Sequence, residues 1–253
     1  MTRIAELRAR HHGVDPRDVD LLLADALGRS VAWLFAHGDA EVADGIIEKQ
    51  LRRRRAGEPL QYIRGRCDFY GREFLVDDRV LIPRPETEIL VEQAIARVPG
   101  GARVVDVGTG SGCIAVTLAL ERPDLHVLGV DISVAALAVA KRNRDRLGAR
   151  VDLAASDLLA AVKDIDFIVS NPPYIPADDV ATLQTEVRDY EPRNALTPGP
   201  RGTEIIERLL ASGTPCILEV GYGQTAQLQV DEAIPDLAGI PRVVVSSARH
   251  GRK

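Results

Sequence analysis

The chain has 253 residues, 45% hydrophobic and 27% charged, a globular composition with room for one large domain or a main domain with a small partner. A formal charge of −5 argues against a general nucleic-acid binder, and aromatics at 4% make the core aliphatic. Cys67, Cys113 and Cys216 are far apart without metal-ligand spacing, the first residues carry no signal-peptide core, and no run is long and apolar enough to cross a bilayer; together these read as a reduced, cytoplasmic protein.

Residues 1–60 read as a helical domain. Asp15-Pro16 opens a helix, with aspartate as N-cap and proline in the first turn. Val19, Leu22, Leu23, Ala26 and Leu27 then share one face, and Gly28 stops it. Ser30 caps a short helix carrying Val31, Leu34 and Phe35 that ends near Gly38. A third helix is expected from about 41 to 56, with Ala43, Ile46, Ile47 and Leu51 inward and Gly57 at its end. Arg52-Arg53-Arg54-Arg55 in its last turn reads as a solvated face favoured by the helix dipole, with contact to an acidic partner as the alternative. The pair His11-His12 has no companion ligands and does not suggest a metal.

Residues 61–86 change character. The stretches 69–74 and 76–82 suggest a β-hairpin joining the helical domain to the rest of the chain. Pro83-Arg84-Pro85-Glu86-Thr87-Glu88 is a stiff lead-in to a helix carrying Ile89, Leu90 and Ala94. From 87 to 253, strands at 103–107, 125–130, 151–153, 166–170, 215–220 and 242–247 alternate with helices, among them 113–120 and 134–147. This predicts an α/β fold with a parallel sheet covered on both faces, which binds ligands at the carboxyl ends of its strands. The glycine turn at 108–112, Asp131, Asp157 and Asn171 all come after predicted strands, so they should meet on one edge.

Gly108-Thr109-Gly110-Ser111-Gly112 is G-x-G-x-G. The dinucleotide fingerprint needs glycine where Cys113 stands, and no Lys-Ser or Lys-Thr comes after it to make a P-loop. Small residues still let a ligand approach the backbone closely. Asp131, at the next strand end, can accept hydrogen bonds from two ribose hydroxyls. A nucleoside cofactor without a pyrophosphate fits this pattern, and S-adenosyl-L-methionine is of that kind.

In Ser170-Asn171-Pro172-Pro173-Tyr174, two prolines fix φ in succession and remove two N–H donors at a strand tip. The Asn171 side-chain oxygen and the Pro172 carbonyl are adjacent acceptors, suited to a planar –NH2 group, and the Tyr174 ring can lie on the flat face of that group. Alone, the tetrapeptide is also a turn opener. Coming after a glycine turn and a strand-end aspartate, it indicates a methyltransferase, with Asn171, Pro172 and Tyr174 carrying the chemistry and no metal.

These motifs resemble the protein-glutamine methyltransferases that act on peptide chain release factors. The resemblance extends to Glu58-Pro59-Leu60-Gln61-Tyr62-Ile63, Phe69-Tyr70-Gly71, the segment 82–88, Tyr190-Glu191-Pro192-Arg193, Leu218-Glu219-Val220-Gly221-Tyr222 and Asp236-Leu237-Ala238-Gly239. It implies a Rossmann-like class I methyltransferase sheet over 87–253, a β-hairpin linker over 61–86 and a helical substrate-recognition domain over 1–60. It further implies that Gly108, Thr109, Gly110, Ser111, Gly112 and Asp131 hold the cofactor and that Asp157 and Leu158 lie along its adenine. Asn171 would touch both cofactor and substrate, and Asn171, Pro172, Pro173 and Tyr174 would hold the glutamine of a Gly-Gly-Gln loop. Leu158 stands where the family pattern has an aromatic residue, and the segments between Gly202 and Cys216 and after Gly223 are shorter than usual. The expected partner is a release factor, with no membrane and no direct nucleic-acid contact, and the expected state is a monomer.

Three other readings use the same residues. A sister branch methylates a ribosomal-protein glutamine, and the motifs do not separate the two. An exocyclic-amine DNA methyltransferase shares the tetrapeptide but would want a basic target-recognition region, and only 52–55 is strongly basic. A cofactor-binding interaction module would be favoured by erosion of Asn171 or Asp131, and both are intact.

Overall fold

A computed structural model describes residues 1–11 and 13–247, so His12 of the histidine pair lies outside the described residues. The chain forms two compact units, Met1–Gly65 with Gln184–Tyr190, and Arg66–Leu183 with the chain from Glu191 onward. Among the described residues, no helix is long and apolar enough to cross a membrane.

The first unit holds β1 (Thr2–Arg3), α1 (Ile4–Arg10), α2 (Pro16–Leu27), α3 (Val31–Ala36), β2 (Glu41–Val42), α4 (Glu48–Arg55) and α5 (Leu60–Arg64). Ile4, Leu7, Val19, Leu22, Leu23, Leu34, Ile47 and Leu51 form its core. The caps read from sequence form: Asp15 Oδ1 accepts from Arg17 N–H at 2.8 Å, and Ser30 Oγ accepts from Trp33 N–H at 3.1 Å. The helix expected from about 41 begins only at Glu48. Glu41 and Val42 instead pair antiparallel with Arg3 and Thr2, and Gly45 at φ +70° interrupts any helical start before that point. On α2, Ala26 is exposed and Ala24 is buried in its place. The arginine run is not a uniform solvated face. Arg53 Nε donates to Glu58 at 2.7 Å, and Arg54 bridges Asp18 at 2.5 Å and Glu186 at 2.7 Å.

The second unit opens with a hairpin, β3 (Arg66–Phe69) and β4 (Arg72–Leu75), turned by Tyr70 and Gly71, both at positive φ. The second strand is thus 72–75, and 76–82 is irregular chain leading to α6 (Thr87–Arg97). Then come β5 (Arg103–Val107), α7 (Cys113–Glu121), β6 (His126–Asp131), α8 (Val134–Leu147), β7 (Val151–Ala155) and β8 (Phe167–Ser170). α9 (Thr185–Tyr190) lies in the first unit, and α10 (Arg193–Leu196), α11 (Glu204–Ala211), β9 (Cys216–Glu219), β10 (Glu232–Pro235) and β11 (Pro241–Ser246) complete the second.

The sheet order is β10-β11-β9-β8-β5-β6-β7. Strands β9, β8, β5, β6 and β7 are parallel, but β11 runs antiparallel to β9, and β10 antiparallel to β11. The sheet is therefore parallel over five strands, as expected, with an antiparallel pair added at one edge. The 232–235 strand escaped the sequence because Glu-Ala-Ile-Pro is short, with a proline that only an edge tolerates. Alternate residues of β5 feed two cores: Val104 packs with Phe69, Phe74, Leu90 and Leu118 on one face, and Val105 and Val107 pack with Ile206, Leu209 and Leu218 on the other. Burial on both faces explains why β5 reads as an unbroken apolar run around Asp106. The strand order turns around at β5, whose carboxyl end lies between those of β6 and β8, the crevice where such sheets take ligands.

Candidate active site

A cavity opens at that crevice, and Val107 of β5, Asp131 of β6 and Ser170 of β8 mark its floor. Its walls include Gly108, Thr109, Gly110 and Ser111 on one side, Asp157 and Leu158 on a second, Asn171, Pro172 and Pro173 on a third, and Arg84 from the lead-in to α6 with Thr87, its first residue. The residues singled out in the sequence after four different strands thus meet at one site. Two of that set stand outside the wall, Gly112 and Tyr174.

The glycine turn is held from beneath. Gly108 and Thr109 N–H both donate to Val130 O at 2.9 Å. Thr109 Oγ1 donates to Asp106 Oδ2 at 2.7 Å, and Ala115 N–H donates to the same oxygen at 3.2 Å. Burial pushes the Asp106 carboxyl up to about 7, and its Oδ1 has no hydrogen-bond partner. From α8, the buried Asn143 donates to Ser111 O and to Leu75 O, both at 2.9 Å, and accepts from Leu75 N–H at 2.7 Å, tying the hairpin to the turn. Gly129 lets Thr109 sit where it does, because a Cβ there would meet Thr109 Oγ1 at 2.8 Å. Gly112, at φ +81°, serves helix packing: its Cβ would meet Ala140 of α8 at 3.2 Å.

The cavity fits S-adenosyl-L-methionine. Gly108 is at φ +73°, and a Cβ built on it meets no protein atom, so the space above the turn is left to a ligand. Asp131 accepts from Gly110 N–H at 2.9 Å through Oδ2 and from Ser133 N–H at 2.8 Å through Oδ1, which orients the carboxylate and leaves a lone pair on each oxygen for two ribose hydroxyls. Leu158 takes the left-handed conformation at φ +49°, uncommon for a branched side chain, and lies on the cavity wall. Asp157 is exposed and pairs with Arg208 at 3.4 Å.

The Asn-Pro-Pro-Tyr segment is also held from behind. Ser170 Oγ donates to Val107 O at 2.6 Å. Asn171 Nδ2 donates to Thr87 Oγ1 at 3.0 Å, and Thr87 Oγ1 donates to Glu219 Oε2 at 2.6 Å. Tyr174 OH donates to Glu219 Oε1 at 3.3 Å. Its ring therefore points toward the end of β9, not across the cavity. Burial, and then the neighbouring Glu219 charge, push the Tyr174 phenol up, so it stays protonated. Burial likewise pushes the Glu219 carboxyl up to about 7. Beyond the tetrapeptide, Gln224 Nε2 donates to Tyr174 O at 2.8 Å and Gly202 O at 3.2 Å.

Thr87, Glu219, Gln224, Asn143 and Asp106 support the site, and none was singled out in the sequence for a functional role. Thr87 and Glu219 stood in plain view at element ends, within 82–88 and 218–222. Glu219 closes an apolar strand as Ser170 does, which is the signal that could have found it. Asn143 is a polar residue on the inward face of an amphipathic helix, and sequence alone does not say what it reaches.

Two family models match the chain: "Methyltransferase small domain" over residues 85–198 and "PrmC N-terminal domain" over residues 4–65. The release factor glutamine methyltransferase of Koribacter versatilis is 44% identical over 248 residues, covering 89% of each chain. That of Bacillus subtilis is 47% identical over 238 residues, covering 86% of this chain and 82% of its own length. That of Bordetella pertussis is 41% identical and covers 96% of this chain and 98% of its own length. Among solved structures, the hMettl16 catalytic domain in complex with the MAT2A 3'UTR hairpin 6 shares the fold, at TM-score 0.53 and 16% identity over 70% of this chain and 75% of that one. With relatives this similar over nearly their whole length, the chain belongs to the release factor glutamine methyltransferase family.

Proposed function

We propose that the protein methylates the side-chain amide nitrogen of the glutamine in the Gly-Gly-Gln motif of peptide chain release factors, converting S-adenosyl-L-methionine to S-adenosyl-L-homocysteine. The observation that carries this reading is the placement of Asn171 and Pro172 on the wall that also holds the glycine turn and Asp131, in a chain whose relatives are named for that reaction.

An amide nitrogen is a poor nucleophile because its lone pair is delocalised into the carbonyl. The cofactor supplies an electrophilic methyl on a sulfonium, so the protein's work is placement. Asn171 Oδ1 and the Pro172 carbonyl accept the two amide hydrogens and orient the nitrogen, and they favour the positive charge that develops on it. The nitrogen lone pair makes the C–N bond as the S–CH3 bond breaks, and one nitrogen proton is lost to solvent. Placement of this kind can supply about 7–11 kcal/mol of a barrier. Gly108 to Ser111 and Asp131 hold the cofactor, with Leu158 against its adenine; Gly112 contributes through helix packing. Tyr174 acts from behind the site, fixing the tetrapeptide through Glu219.

The helical unit recognises the protein substrate, since a lone glutamine amide is too common to be a specific target. A net charge of −5 supports a protein over nucleic acid as the partner. The test is transfer of labelled methyl from S-adenosyl-L-methionine to a purified release factor, read by mass spectrometry of the Gly-Gly-Gln peptide. One methyl on that glutamine is expected. No transfer there, with methyl gained by a ribosomal-protein glutamine instead, would replace the substrate.

A further inference from the structure

The Asn171 amide has two ends of similar shape and opposite polarity, and only one of them can receive a substrate –NH2 group. Oδ1 accepts its hydrogens; Nδ2 would set donor against donor. Backbone geometry does not choose between the two, because a half-turn of the amide exchanges them. The choice is made by what lies behind it. The Thr87 hydroxyl has one proton, and it goes to Glu219 Oε2 at 2.6 Å, leaving only lone pairs toward Asn171. Asn171 therefore turns Nδ2 to Thr87, at 3.0 Å, and among the described residues none donates to its Oδ1.

Glu219 is 2% exposed and sits at the end of β9. An ionised carboxylate can only accept, and its two oxygens take the protons of Thr87 and Tyr174. Thr87 is equally buried, at 2%. No water is needed to complete the chain, and each link leaves the next a single hydrogen-bonding choice.

We infer that Thr87 and Glu219 are positioning residues for methyl transfer: the hydrogen-bond chain Glu219–Thr87–Asn171 sets which end of the Asn171 amide faces the substrate nitrogen. The inference rests on the reading of Asn171 as the acceptor for the substrate amide. If the chain is broken, Thr87 or its replacement no longer dictates the amide orientation. The protein then divides between a productive and a flipped Asn171, while the cofactor wall is untouched. Glu219→Gln brings a donor to the far end, which lets Thr87 turn its proton toward Asn171. Thr87→Val keeps the shape and removes the hydroxyl. Thr87→Ser keeps the hydroxyl and removes the methyl.

The experiment measures kcat and KM for a release factor at pH 8, with cofactor Kd by calorimetry, for the wild type and these three variants. Expected are a fall in kcat of at least about 10-fold for Thr87→Val and Glu219→Gln, cofactor Kd within about threefold of wild type, and recovery of most of the rate in Thr87→Ser. Full kcat in Thr87→Val and Glu219→Gln, or a loss in Thr87→Ser as large as in Thr87→Val, would overturn the inference. A second readout needs no acceptor. In protein labelled with 15N-asparagine, the side-chain amide of Asn171, assigned by its loss in Asn171→Ala, should exchange slowly with solvent in the wild type and Thr87→Ser and faster in the other two. Equal exchange in all four would overturn the inference on its own. A wild type that does not methylate release factor, but keeps this exchange pattern, would instead place the error in the substrate reading.

Discussion

A Cβ on Gly202 would lie 2.5 Å from the carbonyl oxygen of Tyr174, closer than real Cβ atoms come to anything. The two segments are clamped in that approach by Gln224, whose amide donates to both carbonyls and accepts from Gly221 N–H at 2.8 Å. The exit of the Asn-Pro-Pro-Tyr segment is thus fixed by a buried, fully hydrogen-bonded side chain and by the lack of a side chain opposite. Gly202 is also at φ +77°, which an alanine adopts at a cost of about 1–2 kcal/mol. Adding about 1–3 kcal/mol for forced displacement of the neighbouring backbone, Gly202→Ala should destabilise the protein by about 2–5 kcal/mol. Turnover should fall further than cofactor affinity, because the displaced atoms belong to the tetrapeptide. Urea unfolding and single-turnover transfer measure the two effects, and an unchanged midpoint with unchanged turnover would show that the segment moves aside freely.

Asn171 and Asp131 face one cavity and should fail in opposite ways. In the proposed reaction Asn171→Ala removes the acceptor for the substrate amide and leaves the glycine turn intact, so most of the rate should be lost while cofactor Kd changes little. Asp131→Ala removes the proposed ribose acceptor and also the partner of Gly110 and Ser133 N–H, so cofactor Kd should rise at least about 10-fold, on the order of one to two charged hydrogen bonds. Calorimetry with S-adenosyl-L-methionine separates the two. Similar Kd changes in both variants would contradict the division of labour.

The sequence shows where chemistry collects better than it shows what holds it. Glycines, prolines and a strand-end aspartate are legible because their effect is local: positive φ, missing N–H donors and a carboxylate at a strand tip need no knowledge of partners. Thr87, Asn143, Glu219 and Gln224 act across 84, 68, 45 and 50 residues of chain, and nothing within a window around any of them says which partner it will find. The same reason explains Tyr174. Its aromatic ring beside two prolines suggests a cover for a planar substrate group, and only the arrival of Glu219 from β9 draws its hydroxyl away from the cavity. In the helical unit, periodicity placed α2 and α3, but the start of α4 depended on Glu41 and Val42 finding a strand partner at the chain start.

Arg54 likewise owes its surroundings to partners distant in the chain. Its guanidinium joins Asp18 of α2 and Glu186 of α9 and also donates to Glu58 O at 3.2 Å, with its side chain only 18% exposed. Arg55 pairs with Glu48 at 3.4 Å and is about twice as exposed. Arg54→Ala should therefore cost about 1–3 kcal/mol, discounted because Glu186 is partly solvated, and Arg55→Ala at most about 0.5 kcal/mol. Denaturant midpoints of the two variants check this, and equal effects would return the whole run to a solvated face.

Glu219 should leave opposite marks on stability and rate as pH changes. Burial is the largest influence on its carboxyl and pushes it up to about 7 from an ordinary 4.5; hydrogen bonds from Thr87 and Tyr174 and the charge of Arg242 pull it down, and Glu86 pushes it up. The unfolded chain ionises at this position near 4.5 and the folded protein near 7, so the folded state holds the extra proton in between. The favourable contribution of the protonated group is complete below the lower value and is lost as pH rises to the upper one. Glu219→Gln has nothing to titrate there, so wild type should lose melting temperature relative to the variant between pH 5 and 7 and hold a constant difference above that. The rate should do the reverse, because only the ionised carboxylate commits the Thr87 proton: wild-type kcat should climb through about pH 7, and the variant should lack that climb. Asp106 also titrates near 7, but it is present in both proteins and cancels in the comparison. Thermal melts and transfer rates at pH 5, 6, 7 and 8 measure both, and a difference between the two proteins that does not change with pH would remove Glu219 from either effect.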